Sequence, residues 1–204
     1  MKKLLLTLII CVCIFKINAQ STVFPIEYQA AKSKDVVVTV KCVSLYQSNI
    51  SWEIKGKKFI GNQTVNGSPS RQSTLLWYND STICLGYGCG TNCYNYCVLT
   101  TYKNISIAKL YQNPLLIDSV RKIIIYQREQ DNSFATCENY LTKKRIGLMP
   151  NHCYCLAMYC YDTMYFNNNQ FIVKWKMENL RNCNNGEINE KETICYLPDY
   201  IFGK

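Results

Sequence analysis

Apolar and polar positions alternate along several stretches of the chain with the period of two that a half-buried β-strand imposes. Over residues 49–55, Ile50, Trp52 and Ile54 alternate with Ser51, Glu53 and Lys55; near the end, Phe171, Val173, Trp175 and Met177 alternate with Ile172, Lys174, Lys176 and Glu178. Residues 36–46, VVVTVKCVSLY, are dense in β-branched and aromatic side chains and predict another strand. Gly56-Lys57 is expected to turn the chain into a strand over 58–60, residues 61–73 to form a loop, and 74–78 to return as a strand. Strands are expected again over 98–102 and 106–111, with Pro114 breaking the pattern. The three consecutive isoleucines within 119–126 favour a strand over a short helix, and residues 167–170 supply the turn before the last strand. The pattern predicts a mainly β, antiparallel fold.

The N-terminus sets the compartment. Lys2 and Lys3 precede an apolar run over residues 4–15, followed by Lys16-Ile17-Asn18-Ala19, the charge, apolar core and small residue of a signal peptide over 1–19. The run is too short for the roughly 20 residues that span a bilayer. Removing it takes Lys2, Lys3 and Lys16 from the 23 basic side chains and leaves 20 against 14 acidic ones, a mature charge of +6. The lysines are scattered, with short clusters only at 55–58 and 143–145, so the expectation is a solvated basic surface, and nucleic acid is not an expected partner of an exported chain. Five Asn-x-Ser/Thr sequons, at Asn49, Asn62, Asn66, Asn79 and Asn104, predict N-glycosylation and place residues 49–106 largely on an exposed face. No second apolar stretch or lipid-attachment tail follows, so the chain is expected to be secreted, as it stands or as the front part of a longer protein.

Cysteine usage agrees with an oxidising compartment. The mature chain keeps eleven: Cys42, Cys84, Cys89, Cys93 and Cys97 before residue 100, and Cys137, Cys153, Cys155, Cys160, Cys183 and Cys195 after it. That division predicts a disulfide-stapled, two-lobed ectodomain, with an N-terminal β lobe over 20–112 and a C-terminal cysteine-rich β lobe over 113–204. The odd count leaves one thiol to remain free, or to bond a second chain or a companion glycoprotein.

Catalytic chemistry finds little to work with. His152, the one histidine, stands beside Cys153 and Cys155 and near Cys160, but this spacing fits no ordinary zinc module, so neither metal nor cofactor is expected. A lone histidine titrates near endosomal pH, yet more often serves structure. The alternating glycines Gly86, Gly88 and Gly90 fit neither nucleotide-binding pattern, and acid pairs such as Asp80 with Glu138 cannot be positioned by sequence. A non-enzymatic protein is expected.

The segment 83–97, ICLGYGCGTNCYNYC, carries the sharpest functional signal. Its cysteines can fix a compact loop, its glycines let the backbone turn, and Leu85, Tyr87, Tyr94 and Tyr96 offer apolar or amphipathic tips suited to a membrane interface. Residues 84–102 resemble the cysteine- and glycine-rich fusion loop of phlebovirus-type class II envelope fusion glycoproteins, which reads roughly Cys-x-Gly-aromatic-Gly-Cys-Gly before further cysteines and an aromatic strand. The looser likeness extends over about 36–126, with VTVKCVSLY upstream and Asp118-Ser-Val-Arg-Lys-Ile-Ile downstream. The resemblance implies an elongated β ectodomain on a virion surface whose aromatic tip enters a target lipid membrane without a cofactor.

Two other readings stand beside it. Cys42, Trp52 and Tyr87 two residues before Cys89 resemble the core disulfide, packed tryptophan and tyrosine corner of an immunoglobulin-like domain, which implies a Cys42–Cys89 bridge and adhesion to a cell-surface protein. A secreted cysteine-rich effector or venom-type protein satisfies the same composition.

Overall fold

A computed structural model describes residues 24–90, 93–127, 133–150, 161–175 and 192–203, with backbone alone at 89–90, 133–134 and 149–150. The expected signal peptide, His152, Cys153, Cys155, Cys160, Cys183, the side chain of Cys89 and the strand positions beyond Trp175 lie outside the described residues.

The described chain forms four antiparallel sheets. The first contains β1 (Ile26–Lys32), β2 (Val36–Cys42), β3 (Gln47–Ile54) and β4 (Lys57–Ile60), with the short β5 (Val65–Asn66) also on β3. The second contains β6 (Thr74–Tyr78), β7 (Thr82–Gly90), β8 (Cys93–Tyr102) and β9 (Ile105–Gln112). The third contains β10 (Pro114–Asp118), β11 (Ile123–Tyr126), β12 (Ser133–Asn139) and β13 (Arg145–Pro150). The fourth contains β14 (Tyr161–Asn167), β15 (Gln170–Trp175) and β16 (Glu192–Tyr196), followed by a single 3-10 turn at Asp199–Phe202. Apart from β5, strands adjacent in a sheet are consecutive in the chain, so each sheet is a meander. Lys55-Gly56 and Lys103-Asn104 both have positive φ at the two turn positions, the geometry whose twist matches the strands it joins.

Three apolar layers lie between these sheets. Val36, Val38, Val40, Ile50, Trp52 and Ile54 of the first sheet face Ile83, Leu85, Tyr87, Leu99 and Ala108 of the second. Cys84, Val98 and Tyr111 on the other side of the second sheet meet Ile124, Tyr126 and Tyr140 of the third-sheet region. Ile123, Ile125, Ala135 and Cys137, on the remaining face of the third, meet Phe171, Val173 and Trp175 of the fourth. The second and third sheets are thus covered on both sides, and this is why residues 123–126 are a continuous apolar run while the outermost β3 alternates. Residues 26–112 supply the first two sheets and 114–196 the other two, with the middle layer joining them.

Several expectations need correcting. The strand over 36–46 stops at Cys42, because the N–H groups of Val43 and Ser44 both turn to donate to the Gln47 carbonyl at 2.9 and 3.3 Å. Residues 119–122 form a turn: Asp118 Oδ1 accepts from the Val120 and Arg121 N–H groups at 2.9 and 2.8 Å, so only Ile123–Tyr126 is extended. Pro114 opens β10 on the rim of its sheet, where a missing N–H costs no ladder bond.

Candidate functional site

Residues 83–97 belong to a long hairpin, β7 and β8, in the middle of the second sheet. Leu85 pairs with Cys97, Gly86 with Tyr96, Tyr87 with Asn95 and Gly88 with Tyr94, with a register shift before Gly90–Cys93. Period-two alternation then decides where each side chain goes. Leu85 and Tyr87 point into the layer shared with the first sheet and are 0% and 6% exposed. Burial pushes the Tyr87 phenol well above its ordinary range, with Cys97 adding to the rise. These two residues are core and not membrane-contact tips, because the strand continues through the segment expected to loop out.

Tyr94 and Tyr96 take the opposite face. Tyr94 is 42% exposed, whereas Tyr96 is half-buried against the middle layer. Their rings meet edge-on at 5.7 Å. A Cβ at Gly86 would run into the Tyr94 ring, so this glycine is required by close approach of an aromatic across the strand pair.

The hairpin turns of the first two sheets gather at two ends. At one end Lys55 Nζ lies 2.7 Å from Asp80 Oδ1, the Tyr78 hydroxyl donates to Asp35 at 3.0 Å, and Thr101 N–H donates to the Ser81 carbonyl at 2.8 Å. Because β2 and β7 both run away from that end, the β2–β3 tip and the Gly88–Tyr94 pair of β7 and β8 lie toward the other. The β2–β3 tip presents what the sequence pattern had placed inside a strand: Leu45 and Tyr46 are 73% and 78% exposed, with Val43 partly exposed beside them.

The sequons divide between these ends. Asn104 is exposed in the β8–β9 turn, and Asn79 is half-buried, its Oδ1 accepting from Ser81 N–H at 3.0 Å. Both lie at the end away from Leu45 and Tyr46. Exposed Asn49 and Asn66 flank the tip instead, since Asn66 pairs with Gln47 and Asn49 with Lys41. Asn62 is exposed beyond β4, its N–H donating to Ser106 at 2.8 Å.

Among the described cysteines, Cys93 is disulfide-bonded, while Cys42, Cys84, Cys97 and Cys137 are thiols. Cys42 Sγ lies 3.9 Å from Ser68 Oγ, and the side chain of Cys89, its partner in the immunoglobulin-like expectation, lies outside the described residues. Trp52 is buried and packs against Phe59 at 6.0 Å. Cys84 faces the middle layer and Cys97 the first, so the two point to opposite sides of one sheet and cannot bridge each other. Burial raises the Cys84 and Cys137 thiols to about 12 and pushes Cys97 up as well, which favours the protonated form of all three. Cys195 packs at the last layer, the one Cys137 faces.

The acids expected to be unplaceable occupy different settings. Asp80 is exposed on a turn, while the Glu138 side chain is 2% exposed between the second and third sheets. Both Glu138 oxygens accept from Lys109 Nζ, at 2.7 and 2.6 Å, and the hydroxyls of Tyr111 and Tyr126 each donate to it at 3.0 Å. Burial, and then Glu138, hold the Tyr111 phenol well above its ordinary range. A carboxylate that accepts four hydrogen bonds from three donor groups is committed to holding the two sheets together. No group of His, Cys, Asp and Glu suited to a metal occurs among the described residues. No known protein family, curated protein or solved structure matches the chain.

Proposed function

We propose that the chain is a secreted, N-glycosylated ectodomain that binds a lipid membrane interface through the hairpin end of its first two sheets, with Leu45, Tyr46 and Tyr94 as the contact residues. The observation that carries this reading is the exposure of Leu45 and Tyr46 at 73% and 78% on one tip, where neither serves the core. Burying a leucine and a tyrosine ring in the headgroup boundary gains about 1.5 kcal/mol or more each, with the hydroxyl left in water. Exposed Lys41 beside the tip and the mature charge of +6 favour an anionic surface. The role parallels that of the fusion glycoproteins the chain resembles, carried by the β2–β3 tip together with Tyr94, the exposed tyrosine of the hairpin their sequence pattern marks.

In the oxidising secretory pathway the cysteines are proposed to crosslink the chain through disulfides. The test is co-flotation of the secreted protein with vesicles of phosphatidylcholine and phosphatidylserine. A Leu45→Ser/Tyr46→Ser variant should lose most of the bound fraction. Equal recovery of variant and wild type would sink the reading.

A further inference from the structure

Beside the Glu138 cluster the seam between the second and third sheets opens into a cleft of about 540 Å³. Ile107 and Lys109 of β9, with Asn62 and Gln63 from the segment after β4, form one wall; Glu138, Lys143 and Arg145 form the other. A volume of this order suits a small molecule rather than a bare ion.

The charges of the lining do not cancel. Glu138, the only acid among the described lining residues, is already neutralised by Lys109, which binds both carboxylate oxygens. Among the described residues the Lys143 ammonium donates one hydrogen bond, to the Tyr140 carbonyl at 2.8 Å, and Arg145 makes no ion pair. Two cations therefore face the cleft without an acidic partner. Burial brings the Lys143 ammonium down to about 8, Glu138 opposing the fall and Lys109 adding to it. An ammonium stripped of water beside a second cation, in a concave site, is stabilised by an anion. The Arg145 guanidinium supplies the planar pair of donors that fits an oxyanion, and the Asn62 and Gln63 amides add neutral donors across the cleft.

We propose that this cleft binds an oxyanion ester, a sulfate or phosphate monoester carried on a saccharide-sized group. The ester oxygens lie between Lys143 and Arg145, and the carrier rests on Ile107 and the two amides. Asn62 heads a sequon, so a glycan on it stands in the wall of the cleft.

Calorimetric titration of the secreted protein with a sulfated disaccharide, a sugar phosphate, inorganic sulfate and the unsulfated disaccharide tests the assignment. The same titrations on Thr64→Ala keep Asn62 but remove its sequon. At least one ester should bind to at least one of the two forms, more tightly than inorganic sulfate, and the neutral disaccharide should not bind; which ester binds identifies the natural source. Lys143→Gln and Arg145→Gln should each weaken ester binding about tenfold or more, the loss expected for one charge-assisted contact. Lys174→Gln, on the exposed face of β15, should leave it unchanged. Failure of both forms to bind either ester overturns the proposal. So does equal affinity for inorganic sulfate or for the neutral sugar, unaltered binding in the Lys143 and Arg145 variants, or an equal loss in Lys174→Gln.

Discussion

Replacing Lys109 by Met leaves a carboxylate stranded between two sheets. In the native protein Glu138 is 2% exposed and Lys109 33%, with Nζ within 2.7 Å of both oxygens, so the pair is closed on the carboxylate side and open to water on the other. Removing one partner of a buried pair costs about 3–5 kcal/mol. The hydroxyls of Tyr111 and Tyr126 remain as donors and Lys109 is partly solvated, so the lower end, about 3 kcal/mol, is expected. With a urea slope of about 2 kcal/mol/M, the unfolding midpoint should fall by about 1.5 M. Adding Glu138→Gln removes the charge while keeping an acceptor for the tyrosines, so the double variant should recover about 2 kcal/mol of the loss. Urea denaturation followed by tyrosine and tryptophan fluorescence measures all four corners of this cycle. A loss below about 1 kcal/mol for Lys109→Met, or no recovery in the double variant, would refute the assignment of this pair as the clamp between the second and third sheets.

Three further outcomes follow from named residues. Peptide mapping of the unreduced secreted protein should recover no Cys84–Cys97 bridge, because the two side chains occupy opposite faces of the sheet; finding that peptide would contradict the β7–β8 register. Oxyanion-ester affinity should fall between pH 7 and pH 9, since Lys143 loses its proton near 8 while facing Lys109 from β9, Glu138 from β12 and Arg145 from β13; a flat titration profile would remove Lys143 from the site. Asn66→Gln should increase vesicle recovery, as its sequon stands beside Tyr46, whereas Asn104→Gln at the opposite end should leave recovery unchanged.

In the first sheet β2 and β3 were legible because one face of that sheet meets water: Ile50, Trp52 and Ile54 alternate with polar residues and fall inside as the pattern requires, whereas β1 and the two-residue β5 were not anticipated. The hairpin at 83–97 was not legible. With apolar layers on both sides of its sheet, the pattern carries no period of two, and Gly86, of a residue type that ordinarily marks turns, instead faces the Tyr94 ring. The same two-sided cover misplaced Leu85 and Tyr87, since apolar residues in a double-covered strand look like those of an inserting loop. The exposed pair Leu45 and Tyr46 was hidden for the opposite reason. They extend a β-rich run, and the turn made by Val43 and Ser44 onto Gln47, with Ser44 Oγ accepting from the Tyr46 N–H as its one side-chain contribution, lifts them out. The cleft depends on Asn62, Lys109 and Arg145 meeting across sheets, which no local spacing encodes.

The central claim, that the tip residues and not the glycine-rich strand meet the bilayer, is tested most directly by comparing Tyr46→Trp, Tyr94→Trp and Tyr87→Trp in a Trp-depleted background. With anionic vesicles, emission from positions 46 and 94 should shift to the blue and be quenched by brominated lipid, while position 87 should already be blue-shifted in buffer and remain unquenched. Quenching at 87 with none at 46 or 94 would contradict the account.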